Sequence, residues 1–139
     1  MADISNLTRQ HKDIVELLDK LDAYSTPQQV EKNAFAISLL LGQLSGKINI
    51  HLSNEDRFVY PRLLKVNEAQ TRQLSQQFSR EMGGLVTVFN NFKGKYLSSV
   101  KINANAPAFL TELKEIAAAI KERINKEELL LYPLASAAN

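Results

Sequence analysis

Apolar residues recur along this chain at alternating steps of three and four, the spacing of one buried helix face, and no stretch reads as a strand. The first stripe is Ile4, Leu7, His11, Ile14, Leu18 and Leu21. Arg9, Lys12, Asp13, Glu16 and Asp19 take its solvent side, and Asp3 or Ser5 can cap its start. Ser25-Thr26-Pro27 breaks the pattern and opens a second helix, since proline in a first turn gives up only an N–H that has no partner. That helix is predicted over residues 27 to about 60, with Ile37, Leu41, Leu44, Ile48, His51, Glu55 and Phe58 on its stripe and a Tyr-Pro pair to stop it. Gly42 and Gly46 inside it suggest a bend or a close helix contact. A third helix opens at Asn67-Glu68-Ala69-Gln70, which has the form of a capping box, and carries Leu74, Phe78, Met82, Leu85 and Phe89, with Glu81 at the edge of the stripe. Gly83-Gly84 is its weak point, tolerable where a neighbouring helix packs. Residues 101–106 read as a linker. A fourth helix, capped by Asn103 or Asn105 with Pro107 in its first turn, shows Leu110, Leu113, Ala117, Ile120, Ile124, Glu127 and Leu131, and residues 134–139 are expected to fray. The pattern predicts an all-α fold, an antiparallel up-down-up-down four-helix bundle, with residues 1–139 forming a single domain.

Composition narrows what such a bundle does. The 17 basic and 15 acidic residues are spread along the chain, so the net charge of +2 builds no basic face and nucleic acid is not expected as a partner. There is no cysteine, which excludes disulfides and thiolate metal sites and fits a reducing compartment. The first residues lack the layout of a signal peptide and no apolar run approaches a membrane span, so a cytoplasmic protein without membrane contact is expected. Catalytic triads, phosphate loops and nucleotide fingerprints are absent, and no enzyme is expected.

The informative residues are polar ones on apolar stripes. His11, His51, Glu55 and one of Glu127 and Glu128 point inward, with Glu81 a further candidate. An ionised carboxylate taken out of water costs several kcal/mol unless a cation, a metal or a full set of hydrogen bonds meets it. The second of these helices also repeats itself in the fourth. His51, Glu55 and Tyr60-Pro61 return seventy-two residues later as Arg123, Glu127 and Tyr132-Pro133, with the histidine changed to arginine. Imidazoles and carboxylates converging from several helices make a site for iron, manganese or zinc. Alternatively, Arg123 supplies the positive charge, forking onto Glu55 and Glu127 with the two histidines as hydrogen-bond partners. Tyr60 and Tyr132 are expected to close the bundle end with buried rings and hydroxyls near the surface.

The order His11, then His51-x3-Glu55 before Tyr60-Pro61, then the acid and Tyr132-Pro133 in the fourth helix resembles the hemerythrin family of HHE cation-binding domains, from Leu7 to Pro133. The resemblance implies a bundle around a bridged di-iron pair that binds dioxygen or senses oxygen, iron or nitric oxide. It implies His11 as ligand to one iron, Glu55 and a fourth-helix acid as bridges and His51 as a terminal ligand. It also implies histidines where this chain has Phe78 and Met82, and another where it has Arg123. Two histidines in the whole chain fall short of such a pair, so a full di-iron centre and reversible dioxygen carriage are not expected. What remains is one iron or other divalent ion held by His11, His51, Glu55 and one of Glu81 or Glu127. The alternative is a metal-free bundle for protein interaction or self-association, in which Arg123 neutralises the acids. Phe78 and Met82 are expected to fill the vacated space.

Overall fold

A computed structural model describes residues 4–138; Asp3, one of the two residues expected to cap the first helix, lies outside them. The described residues are helical almost throughout and contain no strand, as the stripes require. Four long helices, α1 (Ile4–Asp22), α3 (Ala34–Phe58), α5 (Ala69–Lys95) and α7 (Ala106–Lys126), are joined by the short helices α2 (Pro27–Lys32), α4 (Tyr60–Leu64) and α6 (Ser99–Ala104) and followed by α8 (Tyr132–Ala137). Between α7 and α8 the five residues Glu127–Leu131 form a π-helical turn.

The short helices mark where side chains compete with the backbone. Thr26 and Gln29 cap α2 reciprocally, with Pro27 at its start. Asn33 then interrupts the long second helix expected from the stripes, its side-chain amide donating to Gln29 O at 2.8 Å. The Tyr-Pro pairs restart helices where they were expected to stop them, because proline is tolerated in a first turn. Residues 101–106, expected as linker, lie mostly in α6, which Ser98 caps through Lys101 N. The capping box at Asn67-Glu68 does not form, and Glu68 precedes α5 without a side-chain bond. Asn105 caps α7 through Ala108 N, as expected. The tail does not fray at once: Ala135 is fully buried and its carbonyl accepts from Arg62 Nη1 at 3.2 Å. A Cβ added at Gly42, Gly46, Gly83 or Gly84 would meet nothing within 4 Å, so none of these glycines marks a close helix contact.

Contacts fix the sense of the long helices. Gln10 meets His51 while Asp13 meets Lys47, His11 meets Glu127 while Asp19 meets Lys121, and Phe78 meets Arg123 while Phe92 meets Phe109. Thus α1 runs opposite to α3 and to α7, and α5 opposite to α7. Burial divides the interior in two. A large apolar cluster includes Ile14, Leu18, Ile37, Ile48, Phe109 and Ile124, and a smaller one includes Leu7, Val59, Leu63, Phe78, Leu131 and Ala135. In α1 the step from Leu7 to Ile14 passes through His11. In α3 the step from Ile48 to Val59 passes through His51 and Glu55, and after α7 the step from Ile124 to Leu131 passes through Glu127. A polar layer therefore lies between two dry ones. Phe58, expected on the stripe of α3, is instead 42% exposed, and its neighbour Val59 takes the buried position one turn after Glu55.

Candidate metal centre

His11, His51, Glu55 and Glu127 converge in that polar layer, exposed by 1%, 4%, 0% and 1%, with one donor atom from each inside a 4.8 Å span. Each histidine is held by its outer nitrogen. His11 Nδ1–H donates to Glu128 Oε2 at 2.7 Å, and His51 Nδ1–H donates to Gln10 Oε1 at 2.9 Å. Both Nε2 atoms therefore face the centre. His11 Nε2 is 2.8 Å from Glu127 Oε1, and His51 Nε2 is 3.2 Å from Glu55 Oε2 and 3.4 Å from Glu127 Oε1. Outer hydrogen bonds of this kind fix ring orientation and tautomer in metal-ligating histidines.

Among these groups stands the phenol of Tyr132. Its O–H donates to Glu55 Oε2 at 2.7 Å, and its oxygen lies 3.2 Å from Glu127 Oε1, 3.1 Å from His11 Nε2 and 3.2 Å from His51 Nε2. The π turn puts it there. Residues five apart point to different sides of an α-helix, but a π turn returns to the same side after five residues, and here the Tyr132 N–H bonds to Glu127 O. In the first copy of the repeat, Glu55 and Tyr60 have the same spacing, with Val59 between the end of α3 and the start of α4. Tyr60 OH accepts from Arg123 Nη2 at 2.9 Å, so each tyrosine reaches the leading residue of the other copy.

Arg123 is buried and occupies the counterpart of His51. Its Nε donates to Glu127 Oε2 at 2.8 Å and its guanidinium lies over the Phe78 ring, 4.6 Å from the centroid. The two oxygens of Glu127 are thus divided, one toward the histidines and one toward a fixed cation. The expected fork onto Glu55 does not form, because Tyr60 takes the second arm. Nη1 has no hydrogen-bond partner among the described residues, although Glu81 Oε2 lies 3.9 Å away.

The charges respond to this packing. Burial pushes the Glu127 carboxyl up, but its contacts with His11, His51 and Glu55 and the charge of Arg123 outweigh burial and hold it well below 4.5. Burial raises Glu55, which His51 only partly offsets and the charge of Glu127 reinforces. Burial alone would lower His51, yet the carboxylates of Glu127 and Glu55 carry it from 6.5 up to about 9. Burial and the same two acids push the Tyr132 phenol far up.

The four donors have the dimensions of a cation site. Donors opposite one another across a single ion with bonds near 2.1 Å are ~4.2 Å apart, close to the span of the four donors. Among the described residues Glu55 Oε1 is buried without any hydrogen-bond donor, an acceptor in want of positive charge. The far oxygen of Glu127 already accepts from the guanidinium of Arg123 and so carries a fixed positive charge.

Most expected site residues meet here. His11, His51, Glu55 and Glu127 are together, and of the acid pair Glu127 faces inward while Glu128 is half-exposed and reaches back to His11. Glu81 does not join them: it is exposed, accepts from Gln77 Nε2 at 2.9 Å and stays outside the cluster. Phe78 fills the α5 side beneath the arginine, and Met82 is half-buried beside a small cavity. The tyrosine hydroxyls were expected near the surface, but both are inside the site. Gln10 lies off the apolar stripe, and its place next to His11 is the one sequence signal of its role.

The hemerythrin HHE cation-binding domain model matches residues 2–135, and the chain belongs to that family. No curated protein and no solved structure matches it. Family and geometry together define a helical cation-binding domain with four buried donors suited to a metal ion.

Proposed function

We propose that the domain binds a single iron or other divalent ion through His11, His51, Glu55 and Glu127 and serves as a sensing or binding module. The observation that carries this reading is the pair of histidines turned Nε2 inward, each held from behind by Glu128 or Gln10. Two imidazoles and two carboxylates suit iron, manganese and zinc, and the family favours iron. When bound, the ion supplies Lewis acidity and, for iron, one-electron redox chemistry. The protein orients the donors, excludes water with the apolar clusters on either side and fixes the total charge through Arg123. A cavity of about 30 Å³ bordered by Met82, Leu85, Val86, Ile48 and Leu52 adjoins His51, room for about one water or a diatomic molecule. Such a site reports on a small molecule or on iron itself without turning over a substrate, and reversible dioxygen carriage by an ion pair does not suit it. Its output would pass to a protein partner or through self-association in the cytoplasm. Among the described residues no helix is long and apolar enough to cross a membrane.

A second reading draws on the Arg123–Glu127 contact of 2.8 Å, which neutralises one acid without a metal. On that reading the domain is a metal-free interaction or signalling module. Metal analysis of protein purified from iron-supplemented culture separates the two. One ion per chain, removed by chelation and restored by iron, supports the first; protein free of transition metal supports the second and overturns the first.

A further inference from the structure

We infer that Tyr132 is a fifth donor to the metal, bound through its phenolate oxygen. The inference rests on the metal-binding reading above. Around a single ion with bonds near 2.1 Å, donors at right angles to one another are ~3.0 Å apart. The Tyr132 oxygen lies 3.1, 3.2, 2.7 and 3.2 Å from His11 Nε2, His51 Nε2, Glu55 Oε2 and Glu127 Oε1. Around the ring formed by those four, successive separations are 2.8 Å from His11 to Glu127, 3.4 Å from Glu127 to His51 and 3.2 Å from His51 to Glu55. These are seven of the eight edges of a pyramid on a four-donor base with the tyrosine oxygen as apex, and the eighth pair, His11 and Glu55, lies within the 4.8 Å span of the set. A hydroxyl serving only as a hydrogen-bond plug has one proton to give, which Glu55 takes, and can accept from the two histidines, but it has no second proton for Glu127 Oε1 at 3.2 Å. Tyr60 makes the contrast. At the same place in the other copy of the repeat it accepts from Arg123 and, among the described residues, makes no hydrogen bond to either histidine. Coordination exchanges the phenol proton for the ion, the O–H bond breaking, the metal–oxygen bond forming and one proton leaving to solvent.

The test uses the whole domain and ferric iron supplied as its citrate complex, with bound iron counted after desalting. The expected result is one iron per chain with a visible phenolate-to-iron charge-transfer band and tyrosine ring modes in resonance Raman spectra. Tyr132→Phe should abolish the band and weaken iron binding at least ~10-fold, the smallest loss found even for outer groups that merely orient ligands. Tyr60→Phe should keep the band. If Tyr132→Phe does not fold, Tyr60→Phe keeps the inference falsifiable, since loss of the band there would assign it to Tyr60 and overturn the fifth donor. Iron bound without the band, or a band that survives Tyr132→Phe, overturns the fifth donor and leaves the four-donor reading standing. Failure of the wild type to bind iron overturns both.

Discussion

Arg123 shows most directly how one residue alters the centre. Its guanidinium is buried against Glu127, Tyr60 and Phe78, so Arg123→Ala would leave Glu127 buried with less positive charge. The metal-free domain should lose about 3 kcal/mol or more of unfolding free energy in urea titration. A change within error would mean the histidines alone neutralise the acids. Titration of His51 gives an alkaline limit. Its folded value is raised from 6.5 to about 9, so its contribution is complete below 6.5 and fades as pH rises through about 9. Glu127 acts in the opposite direction: its folded value is depressed, so its contribution is present above 4.5 and is lost as pH falls through that lower value. The melting temperature of metal-free protein should therefore decline between pH 6.5 and 9, and His51→Gln should flatten that limb. At this scale the four buried donors were legible, because each is a polar residue on an apolar stripe. Tyr132 was not, since a spacing of five matches no face of a regular helix, and neither was Gln10, which lies off its stripe.

Elements were legible where periodicity ruled and obscure where it lapsed. The four long stripes became α1, α3, α5 and α7, whereas the interruption at Asn33, the short α6 and the π turn come from local side-chain bonds and tertiary fit. The glycine pair of α5 tests how much of that helix is held by packing. Gly83 and Gly84 are exposed, and an added Cβ at either meets open space. Replacing each with alanine should raise stability by up to ~1 kcal/mol through reduced freedom of the unfolded chain. Calorimetry reads the gain as a higher melting temperature. A loss would indicate that the weakness of α5 at this point relieves strain elsewhere in the bundle.

In the molecule as a whole, the polar layer between two apolar clusters turns burial into a question of time. The donors have almost no contact with solvent, and the half-exposed Glu128 stands between His11 and a surface groove lined also by Lys12, Glu16 and Asn125. An ion cannot collide with such a centre. It must wait until the His11–Glu128 bond parts or the π turn and α8 lift, and openings of that kind run from microseconds to seconds. Stopped-flow mixing of metal-free protein with iron should give a loading rate that rises at low iron and then levels off at the opening rate, with little response to salt. Glu128→Ala should raise the plateau, while a rate linear in iron throughout would reveal a standing channel. On the proposed metal-binding reading, release would pass the same gate, so that once loaded the domain would hold its ion longer than its affinity alone suggests.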